Sequence, residues 1–223
     1  MLEARARPAK HKEAEAILRF YKSQNDPYVL PRPLKDLQDS AEKGLFFVVE
    51  IESRLVAVSG VFDLGDIPFV ELGGTLADKS VRGFGLQTVF FGLRIASVVV
   101  HQGLDIRMLT AIDPTNKPSR RNTLDSGFII WPDPIPELFE PCVACNKRDS
   151  AVSVGRQCCC EFYELPQENA RSEVKQLLAD VNHAHKINRV RPKTGETLTV
   201  TVESQLLTAH RTVLEDFASG KSW

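Results

Sequence analysis

Between Glu71 and His101 the sequence leaves an extended apolar run, crosses Arg82-Gly83-Phe84-Gly85-Leu86-Gln87-Thr88, and enters a long apolar stretch. That order predicts a strand, a glycine-rich turn and a helix over roughly Leu86 to His101. Glycine permits sharp turns and lets a ligand approach the main chain closely. The first turn of a helix presents unpaired N–H groups at the positive end of its dipole. Such a unit suits a phosphate. A tight turn that binds nothing carries the same glycines, so both readings stand. The turn carries no Gly-Lys-Ser/Thr of the Walker type. The dinucleotide fingerprint would need a third glycine where Thr88 stands.

The chain before this unit reads as two helices and a meander. Residues 2–6 alternate as a weak strand closed by Pro8. Ala14, Ile17, Leu18 and Tyr21 fall at helical spacing within 10–24, and Asn25-Asp26-Pro27 breaks the run. A second helix is expected from Pro33 to Lys43, stopped by Gly44. Leu45–Ile51 and Arg54–Phe62 form a hairpin, and Pro68–Leu76 a third strand. After the long helix come a strand at Ile106–Ile112, a short helix over 117–126 ended by Gly127, and a strand at Phe128–Trp131. A proline-rich loop from Trp131 to Pro136 leads into the cysteines, and Glu161–Leu165 is a further strand. Past Pro166, Val174, Leu177, Leu178, Val181 and Ala184 mark an amphipathic helix. Thr197–Val202 alternates as a strand, and Leu206–Phe217 is a closing helix.

Composition narrows the function classes. Hydrophobic residues make up 43% of 223, enough to bury a core. Lys+Arg 28 against Asp+Glu 29 gives a net charge of -1, which argues against nucleic acid as an obligatory partner. Apolar stretches such as Ile95–Val100 are too short to span a bilayer. Glu3, Arg5 and Arg7 leave no apolar export core at the N-terminus. All 5 Cys lie between Cys142 and Cys160, an odd number that speaks against a simple disulfide set. A reducing, cytoplasmic location is expected.

Arg82-Gly83-Phe84-Gly85 resembles the pyrophosphate loop of the GNAT superfamily of acyl-CoA N-acyltransferases, Q/R-x-x-G-x-G/A. Arg82 and Gly85 take the first two fixed positions, and Gln87 stands where the third small residue would be. The order of elements is similar, and Asn116, Ser119 and Gly127-Phe128 stand where the family has an Asn, a short helix and a Gly-Phe pair. The resemblance covers about residues 2–131 and Glu161–Leu165. It implies an α/β (α+β) fold with a mixed, mostly antiparallel central sheet flanked by helices. It implies an acyltransferase domain over 1–165, with a Cys-rich insert at 132–160. A small α+β extension, helix–strand–helix, follows over 166–223.

The same resemblance implies the chemistry. Acetyl-CoA would be the acyl donor, held by Leu76, Ala77, Asp78, Arg82, Gly83, Phe84, Gly85, Leu86, Gln87, Thr88, Asn116 and Ser119. Its thioester would lie in a splay between the strands ending near Leu76 and Ile112, polarised by backbone N–H groups near Leu76 to Asp78. An amine acceptor would attack directly, in a pocket built from segments such as Asp26–Pro33. Glu71 is the implied general base, its pKa raised in a partly apolar cleft. The other reading of Glu71 is a solvated strand residue. Thr123 stands where many members carry an acidic Tyr, and Tyr163 is either a substitute or a packing residue. A thiolate leaving group, with a free-thiol pKa of about 8.5, needs little help. A catalytically inactive module of the same fold, binding CoA or a protein, is the alternative. A zinc-dependent nucleic-acid-binding protein is a third.

Cys142-Val-Ala-Cys145 followed by Cys158-Cys159-Cys160 has spacing for structural zinc on Cys142, Cys145, Cys158 and Cys160. Buried small hydrophobes are the other reading of these thiols. Lys186, Arg189, Arg191 and Lys193 form a cationic stretch without an acid. It is either an anion patch or a solvated helix end. The apolar faces of the tail helices fit packing on the core or a homodimer contact.

Overall fold

The computed structural model describes residues 2–29, 32–64, 69–103, 106–131, 160–181, 186–203 and 205–221. In chain order it contains β1 (Leu2–Pro8), α1 (Ala14–Gln24), α2 (Leu34–Glu42), β2 (Phe46–Ile51), β3 (Arg54–Asp63) and β4 (Phe69–Ala77). Next come α3 (Leu86–His101), β5 (Arg107–Ile112), α4 (Lys117–Asp125), β6 (Ile129–Ile130) and β7 (Glu161–Leu165). The chain closes with α5 (Gln167–Asp180), β8 (Lys186–Val190), β9 (Thr197–Val202), α6 (Gln205–Ala209) and α7 (Arg211–Ser219).

The strands form one sheet in the order β6-β7-β5-β4-β3-β2-β1-β9-β8. Only β4 with β5 and β1 with β9 run parallel; the other neighbours are antiparallel. The mixed, mostly antiparallel sheet flanked by helices is therefore as expected. Helices α1 and α2 cover one face, where Ile17, Phe20, Tyr21 and Leu37 pack on Phe46, Val48, Val58 and Phe62. On the other face α3 lies against the sheet, with α5 and α7 outside it. That second layer explains the sequence of α3, which is buried nearly all round from Val89 to Val99. Gly92 sets the approach of α3 to α5: a Cβ there would lie 3.1 Å from Leu177 Cβ.

The tail continues this sheet. β9 pairs in parallel with β1, from Leu2↔Leu198 to Ala6↔Val202, and β8 pairs with β9. The stretch read as a cationic patch or helix end thus holds a strand. Of Lys186-Ile187-Asn188-Arg189-Val190 only Ile187 is buried, which suits an edge strand protected by charge. The tail's apolar helix faces pack on the core through Val174, Leu177, Leu214 and Phe217. No helix among the described residues is long and apolar enough to cross a membrane.

Candidate functional site

β4 and β5 pair at Phe69↔Arg107, Val70↔Met108 and Glu71↔Leu109, and their pairing ends there. Beyond that point a cavity of about 120 Å³ opens between Leu72, Gly73, Gly74 and Thr75 on one side and Thr110, Ala111, Ile112 and Asp113 on the other. A bulge in β4 produces the parting. Val58 pairs with Leu76 and Gly60 with Gly73, so Gly74 and Thr75 together oppose Ser59. Gly74 has φ +61°, and a Cβ there would lie 2.6 Å from Tyr21 Oη. The Tyr21 hydroxyl instead donates to Gly74 O and fixes the bulge.

The glycine loop lies at the N-terminus of α3. Gly83 and Gly85 have φ +86° and +71°. Gly85 is the cap residue of α3, and no side chain caps that helix. A Cβ at Gly85 would meet nothing within 4 Å, so the helix terminus is open on that side. Thr88 N–H already donates to Gly85 O at 3.1 Å, whereas the amides of Leu86 and Gln87 precede the first turn's bonds. Phe84 and Leu86 anchor the loop by burying their side chains in the core.

Arg82 serves the loop itself: its Nε donates to Ala77 O at 2.9 Å and its Nη2 to Asp26 Oδ2 at 3.1 Å. Arg191, between β8 and β9, holds the loop from behind. Its guanidinium lies 4.2 Å from the Phe84 ring centre, and its Nη2 donates to Ser80 O at 2.5 Å. A Cβ at Gly83 would lie 3.5 Å from Arg191 Cγ.

α3 then leads from the loop into the cavity wall through Gln87, Phe91 and Arg94, one face of the helix. Gln87 Oε1 accepts from Asn122 Nδ2 at 2.9 Å. Asn116 caps α4 by accepting the Ser119 N–H at 3.2 Å, and both residues line the cavity. Tyr28, Val29 and Arg32 line it from the segment expected to supply the acceptor pocket. Leu76, Ala77 and Asp78 do not line this cavity. The cavity meets β4 at Glu71–Thr75, and the Asp78 amide donates to Val56 O at 2.7 Å. Hydrogen bonds from Ser80 hold the Asp78 carboxyl below its usual range.

Glu71 lines the cavity and is 6% exposed, so the solvated reading falls away. Its Oε1 is paired with Arg32 Nη2. The Arg32 guanidinium lies 4.3 Å from the Phe62 ring centre, and its Nε is buried without a partner. Arg94, at 1% exposure, is the second cation in this wall. Its Nε donates to Phe90 O at 3.2 Å, and Nη1 stands 3.5 Å from Gly73 O. Burial pushes its pKa down to about 9. Sequence reasoning missed both arginines. For Arg94 a signal existed, one charge inside the apolar run of α3, since lone buried charges need a reason. For Arg32 none did, because spacing does not show which side chain will meet Glu71.

Neither Thr123 nor Tyr163 lines the cavity. Thr123 is buried with Oγ1 unpartnered, outside the cavity lining. Tyr163 is buried, donating to Glu161 Oε2 at 2.5 Å and accepting from Arg120 Nε at 2.9 Å, a packing role. Cys142, Cys145 and Cys158 lie outside the described residues. Cys160 lies on the cavity wall, and among the described residues no group of three or more His, Cys, Asp or Glu could hold a metal.

No protein-family model matches the sequence, and no curated protein matches it. Solved structures do. The acetyltransferase of the GNAT family from Streptococcus pneumoniae is similar at 12% identity and a TM-score of 0.50, covering 72% of this chain and 96% of that one. yncA from Salmonella typhimurium, solved with its cofactor acetyl-CoA, is similar at 16% identity and a TM-score of 0.51, covering 72% and 91%. A chimera of the spermidine N-acetyltransferase SpeG from Vibrio cholerae and hSSAT is similar at 14% identity and a TM-score of 0.50, covering 75% and 97%. At such identities the likeness is one of fold. Sheet, parted strands and glycine turn agree with it: the chain has the fold of the GNAT superfamily.

Proposed function

We propose that the protein is an N-acetyltransferase that moves an acetyl group from acetyl-CoA to an amine. One observation carries this reading: the cavity in the β4–β5 parting runs from Gln87, in the first turn of α3 two residues past Gly85, to the buried carboxylate of Glu71. Similar structures include one solved with acetyl-CoA and a chimera built from spermidine N-acetyltransferase, which supports this donor and an amine acceptor.

Each part of the site has a task. The amides at the start of α3 and around Gly83 and Gly85 hold the pyrophosphate, with no Cβ at Gly85 to obstruct it. The unpaired edges of β4 and β5 hold the pantetheine arm between them. Acetyl-CoA supplies an electrophilic thioester. Arg32 fixes the Glu71 carboxylate through Oε1, and we assign Oε2 to the amine's proton, taken directly or through a water. The freed amine nitrogen bonds to the thioester carbonyl carbon. The carbon–sulfur bond breaks, and the second nitrogen-bound proton passes to the departing thiolate. No side chain is needed as the acid, because a thiolate is a stable leaving group near neutral pH.

Glu71→Gln keeps the shape and an oxygen for Arg32 but cannot take the proton. We expect a loss of about 10²-fold in turnover with acetyl-CoA affinity unchanged. Turnover equal to that of the unaltered protein would remove Glu71 from the mechanism, and binding without turnover in both proteins would leave a CoA-binding module.

A further inference from the structure

The inner wall of the cavity holds two guanidinium groups and one buried carboxylate, Arg32, Arg94 and Glu71. Arg32 and Glu71 pair directly. For Arg94 the nearby opposite charge is that same Glu71, acting without a hydrogen bond between them. A guanidinium has five N–H donors. Arg94 uses one on a carbonyl of its own helix and one on a long contact to Gly73 O. The Phe91 ring, its centre 4.6 Å from Arg94 Cζ, supports one face and orients the planar fork. Arg32, Arg94 and Glu71 thus carry one positive charge more than they neutralise among themselves, and Arg94 stands in a helix whose other positions from Val89 to Val99 are uncharged. Leaving a cation so buried is costly unless something pairs with it. A carboxylate suits the fork bidentately.

Resting on the acetyltransferase reading, we propose that the acceptor amine itself carries a carboxylate, which Arg94 binds. The substrate class is then a small amino carboxylate, such as an amino acid. Its carboxylate lies on Arg94 and its amine is directed toward Glu71, two groups on the same wall. The size of the cavity, about 120 Å³, favours a small molecule over a polypeptide segment. The Arg32–Glu71 pair holds the Glu71 side chain in place, so Arg94 is left for the ligand.

The test measures transfer from acetyl-CoA, read as released CoA thiol. The proteinogenic amino acids serve as acceptors, each beside a counterpart with that carboxylate replaced by an amide, and spermidine serves as an acceptor without a carboxylate. The unaltered protein should prefer at least one amino acid over its amide by about 10²-fold in kcat/KM. Arg94→Gln should bring that ratio close to one while acetyl-CoA affinity stays the same, and Arg94→Lys should keep part of it. A ratio near one in the unaltered protein, or an unchanged ratio in Arg94→Gln, overturns the inference. Should Arg94→Gln fail to fold, the ratio in the unaltered protein still decides. Transfer confined to amines without a carboxylate defeats this inference and leaves the acetyltransferase reading standing. Absence of acetyl-CoA binding, or of transfer to every amine, defeats both.

Discussion

Burial pushes the Glu173 carboxyl on α5 up to about 7 from 4.5, with Arg189 opposing and Asp180 adding to the shift. The folded chain therefore binds this proton more tightly than the unfolded chain. Its contribution to stability is fully present below about pH 4.5 and is lost as pH rises through about 7. Glu173→Gln should raise the melting temperature at pH 8 more than at pH 5, and an equal shift at both would contradict the assignment. Single residues were unevenly legible in the sequence. Glu71 could be named because its strand and the loop after it are local patterns. Arg94 stood in plain view as the one charge of an apolar helix, yet periodicity alone could not say that it borders a cavity. Arg32 acquires its role only through a pairing across the fold.

At the scale of elements, the loop from Lys79 to Gly85 is held by residues from three places. Phe84 enters the core, Arg82 ties to Ala77 and Asp26, and Arg191 stacks on Phe84 and bonds to Ser80 O. Arg191 is a positioning residue. Losing a stacked, hydrogen-bonded guanidinium should loosen the loop and weaken acetyl-CoA binding by about tenfold. We expect Arg191→Ala to raise KM for acetyl-CoA while kcat at saturation stays close to its starting value. An unchanged KM would show that the contact is incidental. Helices α1 to α5, the hairpin and the glycine turn were readable because stop signals and periods are local, whereas the single closing helix expected over Leu206–Phe217 is divided at His210 into α6 and α7. β8 was not, since an edge strand with one buried residue carries almost no alternation. The bulge in β4 had a mark, paired Gly73 and Gly74 inside a strand, and such glycines commonly signal a bulge.

Across the whole molecule, the two ends of the chain meet in one sheet. β1 is an alanine-bearing strand of low propensity, and it holds because β2 and β9 pair with both of its edges. Parallel pairing between residues 2–6 and 198–202 leaves no local trace in a sequence, so the tail's place beside β1 could not be read from it. The all-round apolarity of α3 was the sign that something must cover it, and α5 and α7 do. One site is central: a cavity between parted strands, bordered by Gln87 in the first turn of α3. Titration calorimetry with acetyl-CoA tests it most directly, comparing the unaltered chain with Gly85→Trp, which fills the open side of that terminus. Gly103→Trp is the control for backbone strain, because Gly103 also has a positive φ and open surroundings, just past the far end of α3. The account predicts binding by the unaltered chain and by Gly103→Trp, and none by Gly85→Trp. Equal binding by all three, or binding by none, would contradict it.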